Sequence, residues 1–236
     1  YGFFTESRRR DELKKVFESL LNIETVGTLM PYKGKYFYYK RKPGQNHDVL
    51  YYRQGMDGDE RLVIDPNKFS EDGTKSLELA DISPNGNFLA FGVSTAGSDR
   101  MPINVLDIIT GEVLEDLIPD IRYPQTQWLN DETAFFYSKW KEARVKFDKQ
   151  YPYAVYLHKL GTKFEEDLPI FGKGLEKTKH AGIHLTPDNK RLFITVSDGW
   201  GKNEVFYKDL NRDSNEVKPL ITGKNAAFYP TSRDDK

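Results

Sequence analysis

The stretch ADISPNGNFLAFG (80–92) decides the fold. It reads as an apolar strand, then a turn built on Pro84, Asn85 and Gly86, then a strand dense in aromatic and apolar residues. The same turn-then-strand unit occurs as KGKYFYY (33–39), DETAFFYS (131–138) and NKRLFITV (189–196). Aligned on Gly34, Gly86, Glu132 and Asn189, the copies recur about every fifty residues, near the length of one propeller blade. ADISP, TQWLN and IHLTP precede the last three copies as a leading strand. NVLDIITGEVL (104–114) and EVFYKDLNRDS (204–214) follow two of them as a third strand.

Working outward, the region after Pro31 consists of short β-type runs at Lys35–Lys40, Asp48–Arg53, Arg61–Ile64 and Leu77–Ile82. The turns Pro43-Gly44, Asp57-Gly58, Asp65-Pro66-Asn67 and Asp72-Gly73 separate them. Before it, Leu13, Val16, Phe17, Leu20 and Leu21 fall at three- and four-residue steps and predict a helix with one apolar stripe. Thr5 or Ser7 would cap its start, and Gly27 lies past its end. The basic face of Arg8, Arg9, Arg10, Lys14 and Lys15 reads as solvated. The expected organisation is a helical segment over 1–30 and a β-propeller region over 31–236, all-β apart from that helix. Each repeat is a small sheet whose faces only its neighbours can bury. Periodicity leaves open whether four repeats close a small ring or form part of a larger one.

The 14 Tyr and 15 Phe mark a folding chain rich in sheet formers. Lys plus Arg (35) balance Asp plus Glu (36), which argues against nucleic acid or an anionic membrane as partner. Cysteine is absent, so thiolate chemistry and disulfides are excluded. No run approaches the roughly 20 apolar residues of a membrane span. The default expectation is a cytoplasmic protein, and a chain opening at Tyr1 suggests a missing N-terminal segment.

Catalytic motifs are missing. GVSTAGSD (92–99) spaces its glycines one residue too widely around Ser94 for a nucleophile elbow, so Ser94 reads as a strand-end serine. His180 and His184 have the helical spacing of zinc ligands but open a strand, where four residues span about 13 Å. Asp57-Gly58-Asp59-Glu60 lacks a calcium loop's spacing and reads as a solvated turn. Gly172-Lys173-Gly174 falls short of a phosphate loop. No metal or cofactor is expected, and the chain reads as a scaffold or binding wall.

KYFYYKRKPGQNHDVLYYRQ (35–54), VIDPNKFSEDGTKSLELADISPNGNFLAFGVSTAGSD (63–99) and QWLNDETAFFYS (127–138) closely resemble the propeller of the prolyl oligopeptidases. The front helix resembles the segment before that family's first blade, and weaker similarity runs to about Thr222. The resemblance implies a seven-bladed propeller capping an α/β-hydrolase domain, of which this chain carries about half the ring and none of the Ser-Asp-His triad. It implies a serine endopeptidase that cleaves short peptides after proline. This portion would gate access and line the cavity, and would be inactive alone.

By position, the resemblance places Tyr123 (in IRYPQTQW), His180 and Trp200 (in SDGWG) as substrate-lining residues, although His180 and Trp200 depart from the family's usual residues. The plainer reading makes Tyr123 and Trp200 blade-packing aromatics. The implied partners are proline-containing peptides and the hydrolase domain of the same polypeptide. Without that domain, the helix stripe would favour self-association. The competing reading is a non-enzymatic propeller that serves protein interaction.

Overall fold

A computed structural model describes residues 8–142, 146–212, 214 and 216–231. It is nearly all β. Among the described residues the helix α1 (Arg8–Leu21) leads, followed by seventeen strands and a second short helix, α2 (Lys146–Gln150). The candidate caps Thr5 and Ser7 lie outside the described residues.

The strands form four antiparallel sheets. The first contains β1 (Thr25–Val26), β2 (Met30–Tyr32), β3 (Lys35–Arg41), β4 (Val49–Gln54) and β5 (Arg61–Ile64). The second is β6 (Lys75–Ile82), β7 (Phe88–Thr95), β8 (Arg100–Asp107) and β9 (Val113–Arg122). The third is β10 (Gln125–Trp128), β11 (Ala134–Ser138), β12 (Val155–Lys159) and β13 (Leu168–Phe171). The fourth is β14 (Lys179–Leu185), β15 (Arg191–Asp198), β16 (Asn203–Asp209) and β17 (Lys218–Ile221). In the last three, strands follow one another in chain order, as in propeller blades. The chain divides into two compact units, Tyr1–Ser76 and Leu77–Lys236.

In the first unit, Phe37 is fully buried and stacks on Tyr52 at 5.4 Å. The acidic turn is less simply solvated than its composition suggests, because Glu60 accepts a 2.7 Å hydrogen bond from the Tyr38 hydroxyl. Its Gly58 is required sterically, since a Cβ there would lie 2.1 Å from the Gln54 carbonyl oxygen. On α1 the predicted stripe exists but is exposed, from 47% at Leu13 to 66% at Leu21.

The second unit shows why the repeat is legible. All five residues of β11 are buried because both faces of its sheet are covered. Phe135 and Tyr137 point into one core with Ala90, Ile103, Val105, Ile118 and Ile121 of the second sheet. Phe136, one residue out of phase, points into another with Ala181, Leu185, Leu192, Ile194 and Val196 of the fourth. Alternation along a strand thus serves two neighbouring sheets.

The alignment residues share a backbone state. Gly34, Gly86, Glu132 and Asn189 all have positive φ, at 85°, 67°, 59° and 56°. Two of them also join sheets. Glu132 is buried and accepts from Ser83 Oγ (2.5 Å), Asn85 N (2.6 Å) and Asn87 Nδ2 (2.7 Å) in the preceding sheet's turn. Asn189 Oδ1 accepts from the backbone N–H of Asn130, in the turn one sheet earlier. Beside them, the Gln127 side chain accepts from Leu185 N at 3.1 Å, capping an edge donor of β14.

Candidate aromatic rim and its charge network

Antiparallel pairing places the β7–β8, β9–β10, β11–β12 and β15–β16 connections and the start of β14 on one rim of the second unit. Three aromatic groups meet there. The Trp140 ring, just beyond β11, lies face to face with the His180 imidazole, with centroids 3.4 Å apart and planes 7° apart. Its indole also meets Tyr123 edge-on, with centroids at 4.6 Å. The Arg122 guanidinium lies 5.2 Å from the Tyr123 ring centroid and 5.5 Å from that of Trp140, close enough for cation–π attraction to both.

Carboxylates hold that guanidinium. Arg122 Nε donates to Asp99 Oδ2 and Nη1 to Glu142 Oε1, each at 2.7 Å. Glu142 also faces Arg100 Nη1 at 3.5 Å, and Arg100 Nε donates to Asp120 Oδ1 at 2.7 Å. Hydrogen bonding from Arg122 holds the Asp99 carboxyl below its ordinary range. The β11–β12 connection is pinned from inside. Buried Lys139 donates to buried Asp148, whose other oxygen accepts from Glu142 N, and the ammonium lies 4.3 Å from the Phe147 centroid. Burial holds the Lys139 ammonium below its ordinary pKa.

Tyr123 is the strained member. Its φ is +47°, a left-handed conformation that costs a bulky residue about 1–3 kcal/mol. Pro124 follows, and a residue before proline favours extended backbone. A hydrogen bond from Tyr123 N to Asp99 O (3.0 Å) and one from Trp140 N to Arg122 O (3.1 Å) fix the turn. The outcome is a residue 44% exposed that lines a cavity of ≈ 360 Å³, whose walls also include Leu79, Ser94, Asp99, Met101 and Pro124.

His180 is half-buried, and its Nδ1 is enclosed without a hydrogen-bond partner among the described residues. Burial, with the positive charge of Arg122, pushes its pKa down. Trp200 lies on the β15–β16 connection of the same rim and is fully exposed, at 104%. Tyr123 and His180 are therefore brought together through Trp140, while Trp200 projects into solvent. Neither Tyr123 nor Trp200 packs inside a blade, which corrects the plainer reading of both. Sequence reasoning missed Trp140, Arg122 and Glu142. The SKWKEAR segment (138–144) carried the aromatic and the charges but no repeat pattern to place them.

Of the other sequence candidates, Ser94 is buried near the end of β7 and its Oγ donates to Ser98 O at 2.7 Å. His184 is exposed on β14. Among the described residues, no three His, Asp or Glu side chains group as a metal would need, and no helix is long and apolar enough to cross a membrane.

Sheets of four strands in chain order, joined by stitched turns and carrying an aromatic rim at one end, define a β-propeller. Residues 3–235 match the family model described as prolyl oligopeptidase, N-terminal beta-propeller domain, and the chain belongs to that family. It is 34% identical over 217 residues to a prolyl endopeptidase of Elizabethkingia meningoseptica, covering 91% of this chain and 30% of that protein. It is 31% identical over 230 residues to a prolyl endopeptidase of Elizabethkingia miricola, covering 95% and 32%. A solved chain from a structural and mechanistic study of two prolyl endopeptidases superposes with a TM-score of 0.87 at 27% identity, covering 98% of this chain and 34% of that one. The chain thus spans about a third of the length of these relatives.

Proposed function

We propose that this chain is the substrate-gating part of a serine-type endopeptidase that cleaves short peptides after proline, and that the catalytic residues belong to a separate α/β-hydrolase domain. The observation that carries the reading is the meeting of Tyr123, Trp140 and His180 on one rim of a prolyl oligopeptidase-family propeller. An exposed ring over a small, partly apolar cavity suits an apolar peptide side chain, since aromatic faces bind apolar groups without requiring charge. Arg122 is already matched by Asp99 and Glu142, so its charge is taken up by these carboxylates rather than offered to an acidic peptide. Trp200, fully exposed on the same rim, would add a further aromatic face.

In this reading the propeller holds the peptide and excludes bulk water. The hydrolase domain supplies nucleophile, base and oxyanion hole. Assay of a Gly-Pro reporter with this chain alone and with the intact protein tests the division of labour. The expected result is turnover by the intact protein only. Inhibitor-sensitive turnover by the isolated chain would overturn it.

A further inference from the structure

We propose that Arg122, with Glu142 holding it, is a positioning residue that sets substrate specificity by keeping the Tyr123 ring presented as one wall of the adjoining cavity. The inference rests on the peptidase reading above and names the group that controls its preference for an apolar side chain.

Tyr123 occupies a backbone state it would not choose, and the following proline makes that state less favourable still. Such a residue persists only where its surroundings over-determine it. Arg122 is central to those surroundings. Its guanidinium is placed against both the Tyr123 and Trp140 rings. Its charge is tied at 2.7 Å to Asp99 on one connection and to Glu142 on another. Its carbonyl accepts the Trp140 N–H, while Asp99 accepts the Tyr123 N–H. One side chain thus ties the β7–β8, β9–β10 and β11–β12 connections around the strained tyrosine. The charge is spent internally on two carboxylates, so its effect on a peptide passes through Tyr123. With that ring held in place, the ≈ 360 Å³ cavity, whose walls include Glu78 and Asp99 beside Leu79, Met101, Tyr123 and Pro124, has room for one side chain packed on its apolar members.

The test uses the intact peptidase and proline-containing reporter peptides in which each residue before the proline is in turn Gly, Leu or Lys. At one position the wild-type protein should favour Leu over Gly about tenfold, mostly in KM. Arg122→Gln and the milder Glu142→Gln should each erase most of that preference by raising KM for the Leu peptide, with kcat changed less than about twofold. Added to Tyr123→Ala, Arg122→Gln should have no further effect on the preference, because both act through one ring.

An equal loss on Gly, Leu and Lys peptides, additivity in the double variant, or no Leu preference in the wild type would overturn the inference. If Arg122→Gln unfolds, Glu142→Gln decides alone, since it leaves the pair with Asp99 intact. Failure of the wild-type protein to cleave any of the peptides would refute the peptidase reading itself, and this inference with it.

Discussion

His158 and His180 lie on adjacent sheets, on β12 and β14, and the fold treats them in opposite ways. His158 is fully buried, with Nδ1 2.7 Å from Asp167 Oδ1 and Nε2 3.0 Å from Asp116 Oδ1. Burial alone would lower its pKa, but the two carboxylates outweigh burial and raise it. His180 has a ring face on Trp140, an enclosed Nδ1 without a partner among the described residues, and Arg122 nearby, so its pKa falls. The first histidine joins the second and third sheets through two carboxylates. The second is a half-buried ring on an open rim, disfavoured from charging by burial and by Arg122. Burial makes a histidine structural only when it comes with partners for both nitrogens.

The largest effect should come from breaking the joint. His158→Ala leaves Asp116 and Asp167 buried without their shared cation and should cost about 3–5 kcal/mol in denaturant unfolding. The sign of the pH effect follows from the raised pKa. His158 contributes stability that is fully present below its unfolded value of about 6.5 and is lost as pH rises through the folded pKa. The variant should therefore lose most relative to wild type in mildly acidic buffer. A deficit that grows toward alkaline pH would contradict this sign.

The next effect has the opposite sense. Asp81, on β6, accepts from Thr126 Oγ1 at 2.7 Å, and burial pushes its carboxyl up to about 6. Keeping it ionised at pH 7 costs the fold, and the cost disappears as pH falls below the unfolded value near 4. Asp81→Asn should stabilise the protein by about 1–3 kcal/mol at pH 7 and by little near pH 4. Unfolding curves at the two pH values check this.

The third comparison uses proton NMR of the imidazoles. At pH 6.5 the His158 ring should be charged and the His180 ring neutral. His180 disfavours charging when folded, so its contribution turns unfavourable as pH falls through about 6.5. Coincident titrations would remove the distinction between the two sites. The smallest stability change is expected for His180→Ala, within about 1 kcal/mol, because it breaks no ion pair.

Much of the fold could be read in the sequence because the repeat falls on residues with one physical task. Gly34, Gly86, Glu132 and Asn189 all turn the chain with positive φ, and the strand after Glu132 alternates between two cores because its sheet is covered on both faces. What could not be read is what those turns touch. Glu132 reaches forty-five to forty-nine positions back to Ser83, Asn85 and Asn87, a pairing with no local signature. The rim was legible in part. Tyr123 and His180 were located by resemblance alone, and the residue that unites them, Trp140, sits in an irregular connection where neither two-residue nor 3.6-residue periodicity operates. The full exposure of Trp200 had no local signature, because an aromatic beside a glycine turn fits a packed or a projecting ring equally well.

The central claim is that the Tyr123–Trp140–His180 rim binds peptide. Titrating a short proline-containing peptide into the intact protein while following the His180 imidazole resonances tests it most directly. The account predicts a saturable shift of His180 at the same peptide concentrations that saturate hydrolysis, with His158 unmoved and the His180 shift reduced several-fold in Tyr123→Ala. Saturated hydrolysis with no change at His180, or an equal change at both histidines, would contradict it.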